Sequence, residues 1–106
     1  MQQTVVRAEE MASILKLLGD RTRLTMMAML NKNDRCVCEL VEFFQMSQPA
    51  ISQHLRKLKD AGLVKETRKA QWIFYSANKD HSLYSFIQAI LSYLPEERKE
   101  TTQLCE

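Results

Sequence analysis

Apolar residues fall at Met11, Ile14, Leu15 and Leu18, spacings of three, one and three, which is one face of a helix. Gly19 closes it as a C-terminal cap. Asp20 reads as the N-cap of a second helix that turns Leu24, Met27, Ala28 and Leu30 inward, and Asn31 to Asp34 is a polar break. A third, short helix is predicted over Cys38 to Phe44, with Leu40, Val41 and Phe44 on its inner face. Gln45 and Met46 make a tight connection. Ser47 then caps a fourth helix, and Pro49 suits its first turn, where a missing N–H costs nothing. This helix rests on Ile51, Leu55 and Leu58 and runs to about Ala61, where Gly62 stops it.

Beyond Gly62 the period changes. Leu63 to Thr67 and Gln71 to Ser76 are short strand candidates rich in β-branched and aromatic residues, joined by Arg68, Lys69 and Ala70. Asn78 or Asp80 caps a last helix that reaches Leu94, where Pro95 interrupts it. The pattern predicts a mainly α chain, five helices and a small β-hairpin, arranged as a winged helix-turn-helix. Residues 1–94 are expected to form one DNA-binding and dimerisation domain, and residues 95–106 a flexible polar tail.

Composition agrees: the chain of 106 residues holds only 2 Gly and 2 Pro, which disfavours a turn-rich β fold. No run approaches the roughly 18–20 apolar residues of a membrane span. The charged start, Met1 to Glu10, lacks the apolar stretch of a signal peptide, so a cytoplasmic location without membrane association is expected. Three Cys, an odd number, make a poor disulfide framework. Nor does any catalytic motif appear. His54 follows Ser52 and Gln53 without an acid or oxyanion motif, and reads as a domain-internal hydrogen-bonding group or a phosphate contact.

Charge changes the picture more. The net charge of the chain is +2, but residues 47–71 carry Arg56, Lys57, Lys59, Lys65, Arg68 and Lys69 against Asp60 and Glu66, a local +4. On the fourth helix, the row opposite Ile51, Leu55 and Leu58 is Gln48, Ser52, Gln53, Arg56 and Lys59. Gln and Ser can bond base edges in a major groove, while Arg and Lys meet phosphate or guanine. Ser47 and the helix N-terminus can hold a phosphate, and Arg68 with Lys69 at the hairpin tip would lie along the flanking backbone. The expected partner is double-stranded operator DNA.

On the last helix, Leu83, Phe86, Ile87, Ile90, Leu91 and Leu94 make a stripe too wide for the end of so small a domain, which points to a homodimer seam. A two-fold dimer sets two recognition helices about one DNA turn apart, matched to a near-palindromic operator.

Cys36 and Cys38 are the sharpest chemical feature. Residues two apart on a helix project about 200° from each other, whereas on extended chain they share a side. An irregular start to the third helix lets both thiolates converge, and soft thiolates select soft ions. A third sulfur is available in Cys105. Ten residues separate it from Leu94, a flexible reach of roughly 15–20 Å. Three thiolates suit As(III) or Sb(III), whereas Cd(II) or Zn(II) wants a fourth ligand. A redox, Cd(II), Zn(II) or Pb(II) response is the alternative.

The runs Leu17 to Leu24, Cys36 to Leu40, Ser47 to Leu55 and Leu58 to Val64, with Trp72, Tyr75 and Ser76, together resemble the ArsR/SmtB family of metal-sensing repressors, over about residues 10–94. The resemblance implies a winged-helix dimer built on its first and last helices, base contacts from Gln48, Ser52 and Gln53, and operator release on effector binding. It also implies arsenite as the ion for the Cys-Val-Cys segment. Arg21 stands where the family usually has Pro, Ala70 where the wing often has Gly, and Val41 where some arsenic sensors have a further Cys. The family's metal site on the last helix would map to Asp80, Ser82, Tyr93 and Glu96, which lack its imidazoles. His81 is one position out of register and is expected to be solvated.

Overall fold

A computed structural model describes residues 5–95. Its elements, in chain order, are α1 (Ala8–Leu18), α2 (Arg21–Lys32), β1 (Arg35–Cys36), α3 (Val37–Phe44), α4 (Gln48–Asp60), β2 (Val64–Lys69), β3 (Trp72–Ala77) and α5 (Tyr84–Leu91). Local chemistry places most boundaries. The Asp20 carboxylate accepts from Arg23 N at 3.0 Å and starts α2. The Ser47 hydroxyl accepts from Ala50 N at 3.3 Å and starts α4. Gly62 ends the α4 region at φ +78, a backbone conformation that favours glycine, and a Cβ there would sit 3.3 Å from the His81 ring.

The five expected helices are present, but the sheet has three strands in the order β1-β3-β2, not two. The added strand pairs Arg35 with Tyr75 and Cys36 with Phe74. Two residues leave no alternation to read, so only the approach of β3 creates this strand. The hairpin also extends further than its composition indicated. β2 runs to Lys69, opposite Trp72, so the connection is Ala70 and Gln71, not Arg68 to Ala70. Ala70 takes φ 54 to close it.

The core joins Ile14 and Leu18 of α1, four α2 residues, Leu40, the α4 row Ile51, Leu55 and Leu58, then Leu63, Val64 and Ala77, and finally Leu83, Ile87 and Leu91. On α2 the inward set is Met26, Met27, Met29 and Leu30, while Leu24 and Ala28 are only half-buried. The one-faced pattern expected there does not hold, because α2 is central and packs against α1, α4, α5 and β3. Leu15, expected inward, is 48% exposed on α1. Val41 and Phe44 are half-buried, leaving Leu40 as the anchor of α3.

The last helix is shorter than expected. Residues 78–83 form turns in which Asn78 Nδ2 donates to Gly62 O at 2.8 Å and His81 Nδ1 accepts from Leu83 N at 3.0 Å. His81 is therefore a half-buried turn residue packed near Gly62, not a solvated one. The apolar stripe divides. Leu83, Ile87 and Leu91 are buried within the chain, so they cannot also form an outer seam, while Phe86, Ile90 and Leu94 remain half-buried. Among the described residues no helix is long and apolar enough to cross a membrane.

Candidate nucleic-acid interface

Helix α4 presents two faces. Ile51, Leu55 and Leu58 are almost fully buried. Gln48, Ser52, Gln53, Arg56 and Lys59 are exposed. The turn before it is tight because Gln45 adopts the left-handed conformation at φ 56 and donates from Nε2 to Glu42 O at 2.7 Å. Arg68 and Lys69 are exposed at the end of β2, where Lys69 Nζ lies 5.6 Å from the centre of the Phe74 ring.

Two polar clusters hold α4 in place. Arg23 Nε donates to Leu17 O at 2.8 Å, and its Nη1 lies 3.1 Å from His54 Nδ1. A guanidinium has no acceptor, so the imidazole accepts at Nδ1. His54 thus ties α4 to the start of α2, the domain-internal role open to it from sequence. The second cluster was not legible beforehand. Lys59 Nζ lies 2.8 Å from Glu66 Oε1, and Tyr75 Oη donates to the same oxygen at 3.2 Å. The ammonium of Lys59 holds the Glu66 carboxyl below its ordinary range, and Glu66 raises Lys59 in return. Burial, and then Glu66, push the Tyr75 phenol up. Lys59 is therefore a brace between α4 and the wing as well as a member of the exposed row.

The cysteines sit where α3 begins. Cys36 caps the helix in extended conformation, φ −85 and ψ 162, and its N–H donates to Glu39 Oε1 at 2.9 Å. The expected irregular start to α3 is present. Cys36 is 3% exposed, whereas Cys38, in the first helical turn, is exposed and disulfide-bonded. Both line one cleft of about 500 Å³ with Val41 of α3, Gln48 of α4, and Trp72 and Ile73 of the wing. Trp72, the single Trp, is 49% exposed beside the cysteine pair, a placement that its position in the sequence does not reveal. Among the described residues no three His, Cys, Asp or Glu side chains form a metal-binding group, so a three-thiolate set would need Cys105, which lies outside them. Asp80, Ser82 and Tyr93, exposed in this structure, make no such group either, and Glu96 lies outside the described residues.

Two short helices joined by a left-handed turn, followed by a β-hairpin wing, define a winged helix-turn-helix transcriptional regulator. Residues 20–66 match the model of the bacterial regulatory protein, arsR family. The chain is 33% identical to the arsenic resistance transcriptional regulator ArsR1 of Pseudomonas putida, over 82% of this chain and 67% of that protein. It is 34% identical to the arsenical resistance operon repressor of Staphylococcus xylosus, over 81% of both. The fold is similar to that of reduced HlyU from Vibrio cholerae, with a TM-score of 0.74 and 29% identity over 84% of this chain and 93% of that one. The chain belongs to the ArsR family of transcriptional regulators, which are not enzymes.

Proposed function

We propose that the chain is a repressor that binds a near-palindromic operator as a homodimer and leaves it when a thiophilic ion occupies its cysteine thiolates. The observation that carries the reading is the cleft shared by Cys36, Cys38 and Gln48. It joins the candidate sensor to the first residue of the candidate recognition helix. In this reading Gln48, Ser52 and Gln53 face base edges, and Ser47, Arg56, Lys59, Arg68 and Lys69 face phosphate. Lys59 does so at the edge of its pair with Glu66.

The effector is As(III) or Sb(III), with reduced Cys36 and Cys38 as two ligands and Cys105 as the third. Relatives named as an arsenic resistance transcriptional regulator and as an arsenical resistance operon repressor support that choice. Drawing the two thiolates onto one ion pulls the start of α3, and β1 and α4 with it, away from the DNA-binding arrangement. A coupling of about 1–3 kcal/mol suffices for regulation. For the dimer, exposed Leu15 on α1 and Tyr93 after α5, with half-buried Phe86, Ile90 and Leu94, supply apolar surface on the first and last helices.

The test is a mobility shift on the DNA upstream of the protein's own gene, with reduced protein challenged by arsenite, antimonite, cadmium and zinc. Arsenite and antimonite should release the wild type and leave a Cys36→Ser, Cys38→Ser variant bound. Release of that variant by arsenite ends the reading. The disulfide at Cys38 favours a second one, in which oxidation itself is the signal. Release by diamide without any ion would select it.

A further inference from the structure

Three helices meet at one residue near the start of α2. Arg23 Nε donates to Leu17 O, near the end of α1, at 2.8 Å. Its Nη1 lies 3.1 Å from His54 Nδ1 of α4. Its backbone N–H donates to the Asp20 carboxylate at 3.0 Å. One residue therefore fixes the end of α1, the start of α2 and the middle of α4 relative to one another. His54 directly follows Ser52 and Gln53 of the exposed row, so a turn of α4 at this anchor carries both with it.

The anchor depends on the charge of the ring. A guanidinium only donates, so Nδ1 accepts and the proton of the neutral ring sits on Nε2. A proton on Nδ1 removes the acceptor and leaves two cations side by side. The imidazolium then has another partner within reach. Asp20 Oδ2 lies 3.9 Å from Nδ1, and the hydrogen bond from the Arg23 amide holds that carboxyl below its ordinary range. The His54 side chain is 20% exposed, which lets it exchange a proton with water. Among the described residues, Arg23 and Asp20 are the charged groups that contact the ring. Of the other elements packed on α4, α3 brings no hydrogen bond or ion pair to His54, and Glu66 of β2 is paired with Lys59. Lys57, one turn along α4, is exposed.

We propose that Arg23 is a positioning residue for operator binding, acting through neutral His54, and that a proton on His54 lowers operator affinity. The proposal rests on the reading of α4 as the operator-binding helix and does not involve the cysteines. Neutral His54 accepts from Arg23 and keeps α4 in place against α1. Protonated His54 leaves Arg23 for Asp20 and loosens that placement. The sign separates this role from a direct one. An imidazolium in contact with phosphate would raise affinity on acidification, whereas loss of the Arg23 anchor lowers it.

The test is the affinity of the reduced full chain for the DNA upstream of its own gene, from about pH 8 to 5, the span in which imidazoles change charge. Fluorescence anisotropy at constant ionic strength reads binding, and circular dichroism checks the fold at each pH. Wild type should lose about tenfold or more in affinity on acidification. His54→Asn places an amide oxygen near the position of Nδ1 that does not titrate, and should bind without that fall. Arg23→Gln should bind about tenfold more weakly at the upper end of the range and lose most of the pH dependence. If Arg23→Gln fails to fold, wild type and His54→Asn still decide the matter. An affinity of folded wild type that rises or stays level on acidification overturns the proposal, as does an undiminished fall in His54→Asn. No binding at any pH overturns the operator reading itself, and this proposal with it.

Discussion

Lys59 Nζ lies 2.8 Å from Glu66 Oε1, so a cation on the exposed face of α4 is already paired with the wing. Arg56, one turn earlier on the same exposed face, has no ion-pair partner among the described residues. An Arg or Lys that neutralises one phosphate contributes about one unit to the slope of log affinity against log salt. Arg56→Ala should lower the slope of operator binding by about one unit, and Lys59→Ala by clearly less. Equal losses measured across a salt series would return Lys59 to the ordinary phosphate contacts.

The same pair gives a pH dependence with a definite sign. Glu66 is lowered from its ordinary 4.5, first by the hydrogen bond from Lys59, so its contribution to stability is present above 4.5 and is lost as pH falls through the lower folded value. Lys59 is raised from 10.5, first by Glu66, so its contribution is present below 10.5 and is lost as pH rises through the higher folded value. The stability difference between wild type and Glu66→Gln should be flat from about pH 5 to 10 and shrink outside it. Urea unfolding across that range measures it.

Burial separates fold from recognition on α4. Ile51 is 0% exposed, and Ile51→Ala should cost about 2–5 kcal/mol of stability. Exposed Gln53→Ala should change stability by no more than about 0.5 kcal/mol and yet weaken operator affinity by about 1–3 kcal/mol. Thermal unfolding and mobility shifts on both variants check the pair.

The two cysteines should differ in reactivity. In reduced protein, iodoacetamide should modify exposed Cys38 about tenfold or more faster than Cys36, which is 3% exposed. Peptide mass spectrometry over a time course reads both sites.

Ala70 closes the wing at φ 54, a conformation that disfavours a Cβ by about 1–2 kcal/mol. Glycine removes that cost and loses part of the gain to the greater freedom of the unfolded chain. Ala70→Gly should therefore stabilise the protein by at most about 1 kcal/mol, measured by chemical denaturation.

Much of the candidate interface was legible because α4 is amphipathic and lies over the core on one side only. Its buried row and exposed row match the residues read from spacing alone. Where a helix has neighbours on several sides, the same reasoning falls short. On α2 it misses Met26 and Met29, and on the last helix it overstates the outer seam by including Leu83, Ile87 and Leu91. Periodicity reports how many faces are apolar, and not which neighbour covers each of them.

From the order of residues alone come the helix starts at Asp20 and Ser47, the stop at Gly62, the opposed faces of α4 and the irregular chain at the Cys pair. Each of these depends on side chains a few positions apart, so local chemistry suffices. The third strand, the Lys59–Glu66–Tyr75 brace, the meeting of Cys36 and Cys38 with Gln48 and Trp72, and the contact of Arg23 with His54 depend on groups distant along the chain. Folding had to bring those groups together, and only the packing of α2, α5 and the sheet around one core decides which of them meet.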